Sequence, residues 1–510
     1  MNELSPRAQR IIEDIQKIRV NDAPTHGGRV LSYVYDSGIA ELDELAAAAA
    51  REVQAVNGLD PTTFPSIAVM ERDLLGFTRA ALNGGDDVFG NVTTGGTESC
   101  LLAIKTARDV WRAKNKQFGR HAVGRIVAPS TVHAAIHKAA AYFDLTLDLV
   151  PVDPTTGAVS AEAVINRLDS DVAVVVLSAP NYPYAQLDPI EKVARVTLER
   201  DIALHVDACI GGFALPWWQG VAQPWDFSVP GVTSISADLH KYGYAPKGIS
   251  ILLQRGVQRH RAQYFSIVGW PGYPVVNPTL LGSKSAGPIA SAWAITSYLG
   301  KEGFAELVAR TQRATQELID GMSQVVGLRV QGDPTGPLFA IVCDEAVRPS
   351  ERVDPHLLVD ELRTRGWFFQ SQPGCFQADG SSLPHSAHLT ITPVIADQTE
   401  DLLDAVRQSA NIVRGRSSAG QSELVHKAAA AVMGVLAQHG VGADGSGVDD
   451  VPSQVIHQLL AVLGFDPGVG DLPTDMSSLL ATAQRIPSPI AQRLLTEVLA
   501  LVVQPAADPF

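Results

Sequence analysis

The run from Val172 to Leu177, six apolar residues without a polar break, narrows the folds open to this chain more than any other feature. A strand with one face in water alternates apolar and polar residues. An unbroken, valine-rich run fits a strand covered on both faces. Short β-rich runs recur at RIVAP near 125, DIALHVDACIGG from 201 and SISADLH from 234, with helical patterns between them. This alternation over residues 65 to 295 predicts helices covering a mixed, mainly parallel sheet in a large α/β domain.

Residues 1–64 read as an N-terminal arm and helix. The alanine run Ala46 to Ala50, flanked by Glu41, Asp43, Glu44 and by Arg51, Glu52, suits a surface or interface helix. Residues 296–415 combine a long helical pattern around ITSYLGKEGFAELVARTQRATQELIDGM with candidate strands LRVQG, PLFAIVCD and HLTITPV, which predicts a smaller α+β domain. A linker is expected at GRSSAGQSE, 415 to 423, and a second loop at VGADGSGVDD near 441. LVHKAAAAVMGVLAQH and SPIAQRLLTEVLALVV make residues 416–510 a helical C-terminal appendage, expected to serve packing or oligomerisation.

With 40 basic against 54 acidic residues the net charge is -14, which repels a phosphate backbone and argues against a nucleic-acid partner. No apolar run reaches the roughly 20 residues that span a bilayer, and the start MNELSPRAQR lacks the apolar core of a signal peptide. No membrane anchor is expected. Cys100, Cys209, Cys343 and Cys375 are scattered without CxxC spacing, so neither a metal site nor a disulfide framework is expected, and a reducing cytoplasm fits.

Three motifs carry chemistry. Thr93-Thr94-Gly95-Gly96-Thr97-Glu98-Ser99 precedes a helical pattern, so backbone N–H groups and a helix N-terminus would face an anion; without GK[ST] it is not a nucleotide P-loop. Asp207, in HVDAC, closes a strand pattern where α/β proteins bind ligands, a place where an aspartate also serves as a helix cap. Lys241 stands in SISADLHKYGYAPKG, a loop rich in Ser, His, Tyr and Gly. An anion cradle, a strand-end carboxylate and a loop lysine, in that order, are what pyridoxal 5'-phosphate needs for its phosphate, its pyridine nitrogen and its Schiff base.

TTGGTES, PSTVHAAIHKAAAYF, HVDACIGGF and SISADLHKYGYAPKG together resemble the sphingosine-1-phosphate lyase branch of the group II decarboxylase-like enzymes, over about Gly28 to Arg414. The resemblance implies the fold-type I architecture and a homodimer with composite active sites. It assigns Lys241 to the cofactor linkage, Asp207 to the pyridine nitrogen and His133 to stacking on the ring. Gly95, Gly96, Thr97 and His240 would meet the phosphate, joined by Gly282 and Ser283 of the other subunit. Tyr35 and Lys247 match family residues of the catalytic centre.

The chain departs from the family's SNPLH, where it reads Val56-Asn57-Gly58-Leu59-Asp60, and from GSRPG, where it has Lys284-Ser285. Tyr184 stands where many relatives carry histidine. An aspartate at position 60 disfavours a phosphorylated substrate. The expected reaction is cleavage of the Cα–Cβ bond of a β-hydroxy amine with release of an aldehyde. Amino-acid decarboxylation by the same site is the alternative, and a non-catalytic scaffold is a third reading that the joint presence of Lys241, Asp207 and His240 opposes.

Overall fold

The computed structural model describes residues 4–116, 122–417, 423–462 and 476–505. Seven strands, β1 (Val88–Thr93), β2 (Arg125–Pro129), β3 (Thr146–Val150), β4 (Val172–Ser178), β5 (Ala203–Asp207), β6 (Ser234–Ala237) and β7 (Ser250–Arg255), form one sheet. Their order is β1-β7-β6-β5-β4-β2-β3. Strands β2 to β6 pair in parallel, while β7 runs antiparallel to both β6 and β1.

All seven residues of β4 are buried, as the unbroken apolar run requires. Val174 and Val176 enter one cluster with Ile126 and Ala128, under the helices Gly96–Lys114 and Ala134–Phe143. Val175 and Leu177 enter the cluster on the opposite face, with Val127, Leu204 and Val206. The period of two thus sends alternate side chains into two separate cores.

The hairpin β8 (Phe265–Ile267) and β9 (Val275–Asn277) follows the large sheet. A helix, Gly287–Ser323, then runs on to the second sheet; it begins at Gly287, before the expected 296, with Pro288 in its first turn. It kinks at Gly300, whose φ of 55° breaks the helical path. The smaller antiparallel sheet comprises β10 (Leu328–Val330), β11 (Leu338–Cys343), β12 (Gln370–Gln372) and, after the short pair β13 (Cys375–Phe376) and β14 (Ser382–Leu383), β15 (Ser386–Thr390). Phe339, Ile341, Leu358, Leu362, Leu389 and Leu402 form its core.

The N-terminal arm joins this smaller sheet. Leu31 N–H donates to the Phe368 carbonyl at 2.9 Å, and Thr390 N–H to the Leu31 carbonyl at 2.7 Å, so Tyr35 is delivered by a pinned segment. The alanine-rich helix is Ala40–Glu52, with Ala46 buried; Ser291 Oγ, on the kinked helix, donates to the Ala46 carbonyl at 2.8 Å.

Past residue 422 the chain forms helices Glu423–Gln438, Ser453–Val462, Met476–Ala483 and Ser488–Val502. Val432, Leu436, Ile456, Leu459, Ile490 and Leu494 give them a core of their own. Of the expected linker, residues 418–422 lie outside the described residues.

Candidate active site

The C-terminal ends of β4, β5 and β6 lie side by side, with Ser178 opposite Asp207 and Asp207 opposite Ser236. Beyond β6 the chain turns tightly: Lys241 N–H donates to the Asp238 carbonyl and Ala245 N–H to that of Leu239. A Cβ on Gly243 would lie 2.4 Å from the Leu239 carbonyl oxygen, so the turn admits only glycine there. Tyr242, wholly buried, reaches the carbonyls of Pro337, just before β11, and Ile391, just after β15, at 3.1 and 2.6 Å. The residue next to Lys241 is thus anchored beside the smaller sheet.

A cavity of about 420 Å³ opens at these strand ends, and Gly95, Gly96, Thr97, His133, Asp207, His240 and Lys241 all line it. Tyr35 and Lys247 line a neighbouring cavity of about 600 Å³ that also touches His240. Gly282 lies apart, in a cavity of about 860 Å³ beside Asp60. Ser283 Oγ accepts from Asn57 Nδ2 at 3.1 Å. A single chain does not bring Gly282 and Ser283 to Lys241's cavity.

The helix Gly96–Lys114 starts at the cavity wall. A Cβ on Gly96 would come within 2.6 Å of Asp238 Oδ2 and 2.7 Å of Cys209 Sγ. Glu98, buried beneath the turn, accepts from Thr94 N–H at 2.6 Å and from Leu280 N–H at 2.6 Å, tying the glycine turn to the loop that leads into Gly282. His133 caps the helix Ala134–Phe143, its Nδ1 accepting from Ala135 N–H at 3.2 Å. That capping role and a place in the cavity wall are combined in one ring.

Asp207 is buried and ends β5, its Oδ1 accepting from Cys209 N–H at 3.1 Å. Burial raises its carboxyl, but His133, the Cys209 side chain, His205 and Lys241 outweigh that and leave it below the usual aspartate value. Burial likewise works against the Lys241 ammonium, yet Asp238 holds it well above the ordinary lysine range. Lys247 lies with Nζ 4.5 Å from the Tyr35 ring centroid, and burial together with Lys241 draws it down to about 8. Burial pushes Tyr35 up to about 12.

Three polar residues stand out among the cavity residues that sequence reasoning passed over. Asp238, 1% exposed, sets Oδ2 3.0 Å from Lys241 Nζ and 3.5 Å from His240 Nε2; it stood in the lysine motif, and its i,i+3 spacing was the available signal. Cys209 lines the wall beside Asp207. Tyr182 does so as well, stacked on His388 at 4.2 Å with its hydroxyl on Gln370. Tyr184, singled out in the same SAPNYPY segment, is 4% exposed and packs against Gly157 instead. The two departures at 57–60 and 284–285 meet each other: Gly58 N–H donates to the Lys284 carbonyl at 2.8 Å.

The model of the pyridoxal-dependent decarboxylase conserved domain matches residues 7–325. The chain belongs to that family. It is 32% identical over 364 residues to sphingosine-1-phosphate lyase of Dictyostelium discoideum, which covers 71% of this chain and 64% of that protein. It thus spans less than two thirds of the length of that relative. The solved sphingosine-1-phosphate lyase of Burkholderia pseudomallei superposes with TM-score 0.72 at 31% identity, over 81% of this chain and 92% of that one. Glutamate decarboxylase of Lactobacillus brevis, 20% identical, shares the fold with TM-score 0.68 over 81% of this chain and 94% of that one. The architecture is fold-type I, and the family's cofactor is pyridoxal 5'-phosphate.

The cavity fits that group. Gly96 packs so closely on Asp238 and Cys209 that no Cβ fits, which brings the backbone of a helix N-terminus into the cavity wall with Gly95 and Thr97 beside it. Nδ1 of His240 accepts from Ile249 N–H at 3.3 Å, which puts the proton on Nε2, at the cavity wall and 3.5 Å from Asp238 Oδ2. An ionised carboxylate, Asp207, and an amine, Lys241, complete the donor set. Among the described residues no helix is long and apolar enough to cross a membrane.

Proposed function

We propose that the protein is a carbon–carbon lyase that cleaves the Cα–Cβ bond of a β-hydroxy amine and releases an aldehyde. Pyridoxal 5'-phosphate, bound through Lys241, supplies an electron sink for the pair left on Cα. Gly95, Gly96, Thr97 and His240 bind its phosphate, Asp207 accepts from the protonated ring nitrogen, and His133 stacks on the ring.

The observation that carries the lyase reading is Lys247 beside Tyr35 in the cavity that adjoins the Lys241 cavity at His240. Cleavage between Cα and Cβ requires a base for the β-hydroxyl proton, and a lysine near 8 loses and regains a proton at neutral pH. Tyr35, near 12, stays protonated and orients the hydroxyl as a hydrogen-bond donor. Decarboxylation needs no such base, and the similarity to sphingosine-1-phosphate lyases over most of the chain also favours the lyase.

The functional unit in this reading is a homodimer in the cytoplasm. Phe265, Val268, Tyr273, Val276 and Leu280 are all more than half exposed, an apolar surface of the kind that docks on a second copy. It leads directly into Gly282 and Ser283, which would reach the partner's cofactor phosphate. The four cysteines are free thiols, in keeping with a reducing compartment.

Asp60 bears on the substrate. Hydrogen bonds from Thr62 and Thr63 hold its carboxyl down to about 2, so it is an anion at any physiological pH and opposes a phosphate nearby. The experiment screens sphingosine 1-phosphate, unphosphorylated β-hydroxy amines and acidic or aromatic amino acids, measuring aldehyde and carbon dioxide separately. Aldehyde from a β-hydroxy amine, with sphingosine 1-phosphate a poor substrate, is expected. Carbon dioxide without aldehyde would make the protein a decarboxylase.

A further inference from the structure

Behind Asp207, on the side away from the cavity, the sheet buries a line of polar side chains. Strands β5 and β6 run parallel with His205 opposite Ser234 and Asp207 opposite Ser236. Residues two apart on a strand share a face, so His205 and Asp207 stand beside Ser234 and Ser236. All four are buried, His205 and Ser236 completely. Ser236 Oγ lies 3.4 Å from Asp207 Oδ1, 3.4 Å from His205 Nε2 and 3.3 Å from Cys209 Sγ. His205 Nδ1 lies 2.9 Å from Ser234 Oγ.

The proton inventory gives this line a direction. Burial lowers His205 to about 4, so the imidazole is neutral and carries one N–H. Ionised Asp207 only accepts, so the single hydroxyl proton of Ser236 goes to it. With that N–H on Nε2, Ser236 Oγ accepts from His205 and from the Cys209 thiol. Nδ1 of His205 is left as an acceptor for the Ser234 hydroxyl. Every donor in the row points toward Asp207, and such a chain polarises its members in one sense.

The geometry points to Ser236 and His205 as positioning residues that orient the Asp207 carboxylate and strengthen its grip on the cofactor's ring nitrogen. This rests on the reading of Asp207 as the partner of that nitrogen. A carboxylate taken out of water needs hydrogen bonds to remain ionised, and among the described residues this one receives them from Cys209, through its N–H and its thiol, and from Ser236. The charged and titratable groups facing Asp207 are His133 from the helix cap, Lys241 from the turn after β6, His205 and Cys209 from β5 and its end, and Cys100 from the helix Gly96–Lys114. Asp188, buried behind Ser178, also feels it. Substitution at 236 leaves all of them in place.

The test reconstitutes full-length wild-type, Ser236→Ala, His205→Leu, His205→Gln and Asp207→Asn proteins with cofactor isotopically labelled at the ring nitrogen. Magnetic resonance then reads that nitrogen's protonation against pH, and apoprotein titration gives cofactor affinity. In Ser236→Ala and His205→Leu the ring nitrogen should lose its proton about one pH unit lower, a tenfold loss of proton affinity, with cofactor binding several-fold weaker. His205→Gln, which keeps an N–H close to Nε2, should stay near wild type. A packing role alone would lower melting temperature and leave the titration unmoved, and that result would overturn the proposal. If Ser236→Ala does not fold, Ser234→Ala should shift the titration in the same direction by less; no shift there also overturns it. Asp207→Asn separates the two claims. An unmoved titration in that variant refutes the reading of Asp207 itself, whereas a shift there without one in Ser236→Ala or His205→Leu refutes only the relay.

Discussion

Asp238 Oδ2 lies 3.0 Å from Lys241 Nζ at the turn that follows β6, with Asp238 almost wholly buried. Removing the carboxylate takes away the largest of the contributions that oppose burial, and burial lowers the ammonium. Asp238→Asn should therefore destabilise the apoprotein by about 2–3 kcal/mol, below the range for fully buried pairs because part of Lys241 reaches solvent. Lys241 is raised above its unfolded value, so the contribution is complete below about pH 10.4 and is lost as pH rises through the folded value. Denaturant unfolding of both apoproteins should show a constant difference from about pH 6 to about pH 9 that closes at higher pH.

Lys247 and Tyr35 should separate in their pH–rate profiles. With Lys247 drawn to about 8, it is protonated below that pH and free to accept a proton above it, so kcat/KM should rise through a limb near 8. Lys247→Arg should abolish the limb and cost about 100-fold or more, the usual size of an acid–base contribution. Tyr35→Phe should cost about tenfold, the loss of one hydrogen bond, and leave the limb where it was.

Gly96→Ala should weaken cofactor binding about tenfold or more, since the added Cβ meets Asp238 Oδ2 and Cys209 Sγ at under 3 Å and overpacking of this kind costs about 1–3 kcal/mol. Titration of the apoprotein with pyridoxal 5'-phosphate measures it. Gly282→Ala, with nothing within 4 Å of its Cβ, should leave the fold intact.

Phe265→Lys together with Val268→Lys should shift the protein toward monomer and reduce cofactor affinity, because the exposed hairpin leads into Ser283. Sedimentation with cofactor absorbance measures both. A monomer that stays fully loaded and active would refute the composite site.

Strand β4 was legible because burial on both faces writes itself as an unbroken apolar run, and β2, β5 and β6 because short β-rich runs alternate there with helical patterns. The antiparallel β7 and its partner β1 were not singled out, since Gly90 and Asn91 in β1 and Gln254 in β7 interrupt that pattern. Cofactor residues that follow a strand end in sequence, such as Asp207 and Lys241, could be read from motifs. The direction of a side chain in an irregular segment could not, so nothing in the sequence marked Tyr182, two residues before Tyr184, as the one that faces the cavity. Nor could the meeting of Asn57–Gly58 with Lys284, which depends on chain segments more than 200 residues apart coming together.

The most direct measurement is borohydride reduction of the cofactor-loaded protein followed by peptide mapping. Lys241 should carry the pyridoxyl group in wild type, and Lys241→Ala should retain no reducible link to the protein and no turnover. A pyridoxyl group on Lys247, or a reducible link that survives in Lys241→Ala, would contradict the assignment on which the site, its carboxylates and the proposed reaction all depend.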